Sequence, residues 1–174
     1  MMRQRIKNMT NIALGAVLMS LCALITVPFA IPFTMQTFAL FFLIYYFGGR
    51  LAFASALLYI CIGCVGLPVF SSFGAGLGVL IGPTGGFIVG FPISCLVYYL
   101  LFKLLPDFKL KLAVASAVSL LTCYLFGCAW GMLYSGENSF FALAAVYVLP
   151  YIIPDVLKLF LARVCAKRLG KIKA

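Results

Sequence analysis

The chain of 174 residues contains no histidine, three acidic residues and one tryptophan, and charged residues make up only 9% of it. Without histidine, no Ser/His/Asp catalytic arrangement can form. The three acids, Asp107, Glu137 and Asp155, are predicted at different depths of the protein, so neither a paired-carboxylate site nor a metal site is expected. A GxxxxGK[ST] phosphate loop is also missing, which argues against ATP hydrolysis. We therefore expect a binding or transport protein with no cofactor rather than an enzyme.

Hydrophobic residues make up 66% of the chain, far above the roughly 45 to 50% that is typical of soluble domains. This composition predicts an all-α integral membrane protein that forms a single domain over residues 1–174. The seven cysteines lie in apolar runs without regular spacing. Cys61 and Cys64 form a CxxC pair, but they lie inside a helical run, so we interpret them as small packing residues rather than metal or redox groups.

Breaks in the apolar runs predict six transmembrane helices, since about 20 residues are needed to cross roughly 30 Å of hydrocarbon. The predicted spans cover about residues 11–27, 34–47, 51–65, 85–105 and 110–134, and the sixth begins near Pro154. Residues 140–149 are predicted to form a short apolar helix before the sixth span, because Pro150 and Pro154 interrupt the run. The first run continues to about Val27 without a small-residue cleavage site, which favours a retained span over a signal peptide.

The placement of basic residues predicts the orientation of the chain in the membrane. When both termini are placed in the cytoplasm, all 13 basic residues except Lys158 fall at or near cytoplasmic ends of the predicted spans. The chain is therefore expected to be a multi-pass protein of the plasma membrane with both termini cytoplasmic. The same asymmetry explains the net charge of +10 as a topology signal, so no nucleic-acid partner is expected.

The segment from residue 66 to residue 90, GLPVFSSFGAGLGVLIGPTGGFIVG, contains eight glycines and two prolines. Glycine permits unusual backbone conformations and proline removes a hydrogen-bond donor, so one long helix cannot run through it. Irregular backbone in a membrane protein survives only where it is buried in protein or lines a wet cavity. We therefore predict a Gly-rich extracellular loop that caps a binding pocket.

Asp155 and Lys158 are both predicted inside the sixth span, where each charge costs about 2.5 to 3.5 kcal/mol. Their spacing of three residues places them on one face of a helix, so that they can neutralise each other. Two interpretations stay open, a structural ion pair between helices and an intramembrane binding site. In the second, the outer polar and loop residues would complete the site, although each alone could equally cap a helix or bond to the loop backbone. The candidate substrate-binding residues are Asp155, Lys158, Gln36, Thr34, Ser72, Gly76, Thr84, Tyr147 and Tyr151.

A stripe of small residues marks the first span: Ala13, Ala16, Ser20 and Ala23 recur at helical spacing. Small residues let another helix approach closely. The stripe therefore predicts either packing within the protein or docking of a partner membrane protein through Ala16 and Ser20.

Four stretches together resemble the BioY family, the biotin-binding S components of energy-coupling factor (ECF) transporters. They are IPFTMQTFAL at residues 31–40, GLPVF at 66–70, GLGVLIGPTGGFIVGF at 76–91 and PYIIPDVLK at 150–158. The resemblance implies a six-helix, high-affinity biotin-binding subunit that works with a transmembrane coupling (T) component and two ABC-type ATPases in the lipid bilayer.

The resemblance also implies residue roles. Asp155 and Lys158 match the aspartate and lysine of the family's last helix, and Ala16 and Ser20 stand where its docking motif usually has two alanines. A carboxylate can accept the ureido N–H bonds of biotin, and Lys158 can meet either that acid or the valerate carboxylate. The family often has Pro-Gly before this aspartate, whereas Ile153 and Pro154 precede it here. The competing hypotheses are a different vitamin and a structural or assembly protein of the membrane.

Overall fold

The structure is a computed structural model that describes residues 2–27, 32–108, 110–136 and 139–170. Most of these residues are helical. The helices are α1 (Met2–Leu24), α2 (Gln36–Phe47), α3 (Gly49–Cys64), α4 (Leu77–Ile81), α5 (Gly85–Leu104), α6 (Lys111–Ser135), α7 (Phe140–Tyr147) and α8 (Leu149–Arg168). A 3-10 turn covers Ser71–Phe73, and two short antiparallel strands, β1 (Thr26–Val27) and β2 (Phe33–Thr34), add a small element that an all-α prediction did not include. The turn at 28–31 and the predicted positions of Lys109, Glu137, Lys171 and Lys173 lie outside the described residues.

The helix lengths bear on the prediction of six spans. Three helices, α1, α5 and α6, are long and apolar enough to cross a membrane, and α7 with α8 adds a fourth if this bent pair is counted as one span. With 12 and 16 residues, α2 and α3 are shorter than the about 20 residues of a straight crossing. The structure therefore supports a helical membrane protein with three to four candidate spans, and the count of six stays a prediction.

The last helix begins earlier than the sequence predicted. It starts at Leu149 with Pro150 in its first turn, and Pro154 lies inside it. Both prolines fit the preference of this residue for a helix start, and the first one takes that position. The short helix α7 was expected, and it meets α8 at an angle of 48°.

Helix α2 forms the centre of the fold and packs against α8, α3 and α1. It is apolar all round, as expected for a helix that is covered on every side. Around it, glycines permit close helix contacts. A side chain at Gly15 of α1 would collide with Ser55 of α3, and one at Gly86 of α5 would collide with Trp130 of α6.

The small-residue stripe of α1 is covered by the protein itself at two of its four positions, whereas Ala13 is exposed. Ala16 and Ala23 are buried, and the hydroxyl of Ser20 donates a hydrogen bond to the carbonyl oxygen of Ala16 at 2.9 Å. These positions favour the interpretation of the stripe as internal packing. Docking of a partner at Ala16 and Ser20 stays a prediction, and it would need the α1 face to be uncovered at Ala16.

The Gly-rich segment folds into a turn and the short helix α4 before α5 begins at Gly85. Gly76 adopts a φ of +80°, a conformation that favours glycine, and its N–H donates to the carbonyl oxygen of Gly63 at 2.8 Å. Ser72 and Phe73 also have positive φ, of 55° and 58°. The indole N–H of Trp130 donates to the carbonyl oxygen of Gly82 at 3.1 Å, which ties the segment to α6.

Candidate ligand-binding site

The site forms where four elements meet. Strand β2 brings Thr34 to the start of α2, and the register of β1 with β2 pairs Thr34 with Thr26. On α8, Asp155 and Lys158 lie on the face that packs against α2, because their spacing of three residues is close to one helical turn. On α6, Tyr124 faces the same point.

Asp155 and Lys158 form a buried ion pair. The ammonium nitrogen of Lys158 lies 2.8 Å from Oδ1 of Asp155, and the two residues are only 5% and 4% exposed. The Thr37 hydroxyl donates to Oδ1 at 2.8 Å, and the Tyr124 hydroxyl donates to Oδ2 at 2.7 Å. The carboxylate therefore accepts three charge-strengthened hydrogen bonds and has room for one more, since its two oxygens offer about four acceptor positions.

The ammonium group of Lys158 also has several hydrogen-bond partners. Besides Asp155, it donates to the carbonyl oxygen of Thr34 at 2.7 Å and to the hydroxyl of Thr37 at 3.1 Å. Its nitrogen also lies 3.8 Å from the ring centre of Phe33, a cation–π contact. Together these contacts compensate for the loss of water around the charge, which is the condition for burying it.

A second polar group lies beside the ion pair. The side-chain amide of Gln36 is 5% exposed and donates to the hydroxyl of Tyr59 at 2.6 Å. Its carbonyl oxygen accepts a hydrogen bond from the hydroxyl of Thr34 at 2.9 Å. An amide NH₂ has two hydrogens, so the contacts to Tyr59 and Thr34 leave one donor position of Gln36 unused.

These groups line a small cavity of about 60 Å³. Seven of the nine candidate substrate-binding residues line it: Thr34, Gln36, Thr84, Tyr147, Tyr151, Asp155 and Lys158. Ser72 and Gly76 do not line the cavity. The backbone of the segment turns them away, and Gly76 serves the contact to Gly63 while the neighbouring Ser71 reaches the cavity instead.

Residues outside the set of nine candidates also line the cavity, among them Thr37, a polar residue next to Gln36 that the sequence already places near the outer face. Phe33, Phe87, Ile88 and Phe91 supply apolar walls, and Thr37 and Tyr124 supply hydroxyl groups. Thr37 is adjacent in sequence to Gln36, so its position at the start of a buried helix was a usable signal. Tyr124 lies in the middle of an apolar helix, and only the packing of α6 near α8 brings it to Asp155.

The apolar helices surround a small, partly polar cavity that lies beside a buried ion pair. This arrangement is typical of a membrane protein with a site for one small molecule. The sequence comparison specifies the family. The chain matches the BioY family over residues 1–174 and belongs to it.

Relatives of known description support the assignment. The chain is 35% identical to the probable biotin transporter BioY of Pyrococcus horikoshii over 94% of this chain and 96% of that protein. It is 32% identical to the biotin transporter BioY of Thermotoga maritima over 87% of this chain and 88% of the relative. A crystal structure of the S-component for biotin from an ECF-type ABC transporter matches with a TM-score of 0.84 at 19% identity, covering 98% of this chain and 95% of that one. This last match shows that the two share a fold.

Proposed function

We propose that this protein is the high-affinity biotin-binding S component of an ECF-type importer, without ATPase activity of its own. The observation that carries the proposal is the buried pair of Asp155 and Lys158 at the wall of a partly open cavity. Three of the four stretches that resemble the BioY family, at residues 31–40, 76–91 and 150–158, supply most of the cavity lining, and relatives in that family bear the name biotin transporter.

The chemistry of the cavity suits biotin. The ureido ring has two N–H donors and one carbonyl acceptor. Asp155 has one acceptor position left, and the unused donor position of Gln36 can meet the ureido carbonyl. The apolar thiophane ring and valerate chain would pack on the aromatic walls, which include Phe87 and Phe91.

Binding requires the cavity to enlarge. Its volume of about 60 Å³ is far below the about 300 to 1,000 Å³ of typical small-molecule sites. The wall nearest the loop is formed by Ser71, Thr84 and Tyr147, all of them in or next to short or irregular elements. We therefore propose that the Gly-rich loop, as an extracellular cap, opens to admit biotin and closes over it.

The proposal includes partners and orientation. With no ATP-binding loop in its sequence, the subunit would draw energy from a T component and two ABC-type ATPases. Reorientation of the whole subunit against the T component would then release biotin inside. Both termini would be cytoplasmic, as the distribution of basic residues predicts.

Isothermal titration of the purified protein with biotin tests the proposal. We expect saturable binding without ATP, and no heat from thiamin, riboflavin or folate in the same assay. Asp155→Asn should weaken binding about 10- to 150-fold, because a hydrogen bond to a charged group contributes about 1.5 to 3 kcal/mol. Lys158→Ala should weaken it as well.

The pair of Asp107 and Lys111 has the same 2.8 Å separation outside the cavity, and Asp107 is exposed, so Asp107→Asn offers a matched control. It should leave biotin binding unchanged. If the protein gives no heat with biotin but binds another vitamin of the panel, the substrate assignment is wrong. If it binds none, the buried pair has the structural role that was the open alternative.

A further inference from the structure

A second and larger cavity, of about 430 Å³, lies between α6 and α8 on the other side of Tyr124. It exists because α6 packs mainly against α5 while α8 packs mainly against α2, which leaves the two helices apart. Tyr124 in the middle of α6 bonds to Asp155 of α8, and α7 touches both helices. We call this space the α6–α8 cleft.

The shape of the cleft suits a chain rather than a compact ligand. Its lining residues on α6 extend along one helix face from Leu112 to Tyr124. The two are twelve residues apart, which corresponds to about 18 Å along the helix. On α8 the lining residues extend from Ile152 to Arg163, about 16 Å. Both lengths match one leaflet of a bilayer, about 15 Å or half of the hydrocarbon core.

Within residues 2–27, 32–108, 110–136 and 139–170, Arg163 at one end of the cleft is paired with no carboxylate. Arg163 lines the cleft where α6 begins and α8 ends. Among the residues that the structure describes, the two acids are Asp107 and Asp155, and both are paired with lysines. Lys167 follows Arg163 by one turn on the same helix and is exposed. The mouth of an apolar groove therefore carries unneutralised positive charge, at the end that the positive-inside rule places in the cytoplasm.

We propose that the α6–α8 cleft binds an anionic phospholipid of the cytoplasmic leaflet, with an acyl chain along the groove and its phosphate on Arg163. A guanidinium group binds phosphate through two parallel hydrogen bonds, and the adjacent Lys167 favours a lipid with net negative charge. An empty groove would leave its lining without van der Waals partners on one side, and the bilayer supplies acyl chains to fill it.

A transmembrane helix of a second copy fits the cleft less well. Helix contacts in membranes favour small residues on both sides, whereas the α8 wall carries Leu159 and Phe160. A second copy would also bring no free acid for Arg163 from the described part of the chain, where both acids are already paired. The lipid proposal does not depend on biotin binding.

Native mass spectrometry of the detergent-purified protein tests the proposal. Phosphatidylglycerol and phosphatidylcholine with identical acyl chains would be added separately, and the fraction of protein that retains one lipid would be measured. We expect retention of phosphatidylglycerol over phosphatidylcholine. Arg163→Gln should lower that retention about fivefold, since one cation near the surface contributes about 1 kcal/mol. Arg50 is exposed at the start of α3 and outside the cleft, so Arg50→Gln should not lower it.

A second pair of variants tests the groove itself. Ala117 lines the cleft, and Ala117→Leu should displace the acyl chain, whereas Ala129→Leu, on an exposed part of α6 outside the cleft, should not. Equal retention of the two lipids, or unchanged retention in both Arg163→Gln and Ala117→Leu, would overturn the proposal. A dimer that Ala117→Leu disrupts, without any lipid adduct, would assign the cleft to a second copy and overturn it too. Because Arg163 is exposed, Arg163→Gln keeps the fold and the result does not depend on Ala117→Leu alone.

Discussion

Replacing the members of the buried ion pair one at a time and then together separates a structural role from a ligand-binding role. In Asp155→Asn or Lys158→Met, one charge stays buried without its counter-charge, a change that typically costs about 3 to 5 kcal/mol of folding free energy. We expect a loss of folding free energy near the lower end of this range, because each remaining charge keeps other hydrogen bonds. After Lys158→Met, Asp155 keeps the hydrogen bonds from Thr37 and Tyr124, and after Asp155→Asn, Lys158 keeps those to Thr34 and Thr37.

The double variant removes both charges. Replacing a buried ion pair by uncharged groups of similar volume is often neutral or stabilising, so most of the lost stability should return. Biotin binding should not return, because neither the carboxylate nor the ammonium group is present. The expected pattern is therefore two destabilised single variants and a stable double variant, with weakened binding in all three.

Unfolding in mixed micelles with increasing SDS, followed by the fluorescence of the single tryptophan, Trp130, measures the stability. Biotin titration of the same preparations measures binding. Asp107→Asn is the control, and it should change neither quantity because Asp107 is exposed and an exposed ion pair contributes little to stability. A double variant that binds biotin as well as the original protein would refute the binding role of the pair. Single variants of unchanged stability would refute the account of its burial.

Three further changes follow from particular contacts. Tyr124→Phe removes a donor from buried Asp155 and should lower stability by about 1.5 to 3 kcal/mol in the same unfolding assay, with saturating biotin reducing the loss if a ligand N–H takes the vacated position. Gly86→Val should separate α5 from α6, because any side chain there meets Trp130, and its unfolding midpoint should fall well below that of Gly78→Val, a glycine with open space around it. Ser72→Gly should raise stability by about 1 kcal/mol, since Ser72 has a φ of +55°, and biotin affinity should stay the same if Ser72 does not contact the ligand.

Sequence reasoning located most helices because local signals end them. The predicted spans at 85–105 and 110–134 agree with α5 and α6 within a few residues, since glycine, proline and charge stand at their ends. The start of α8 was misplaced because two prolines, Pro150 and Pro154, both satisfied the same local rule. Nothing local indicated the strands β1 and β2, which exist through pairing with each other.

In the candidate site, too, the contact between neighbours in sequence was predictable and the contact between distant residues was not. Asp155 and Lys158 were predicted to pair because their contact is local, three residues along one helix. The contact of Tyr124 with Asp155 joins residues 31 positions apart on helices that hardly touch elsewhere, so no spacing rule could indicate it. Ser72 and Gly76 lie outside the cavity lining for a related reason. The direction of each side chain in a Gly-rich segment depends on backbone conformations, such as the positive φ of Ser72, that composition does not fix.

The ligand must enter a site whose hydrogen bonds are almost all made already. Lys158 uses its three donors on Asp155, Thr34 and Thr37, and Asp155 uses three of about four acceptor positions. A ligand with two ureido N–H groups can therefore add one of them to the free position of Asp155. If both were to bond to Asp155, one existing donor would be displaced, and Tyr124 is the donor that the ion pair can release without exposing a charge. The hydrogen bond to the charged carboxylate would contribute about 1.5 to 3 kcal/mol. The rest of the affinity would come mainly from apolar burial as the aromatic walls close, and the ion pair would also select which head group is admitted.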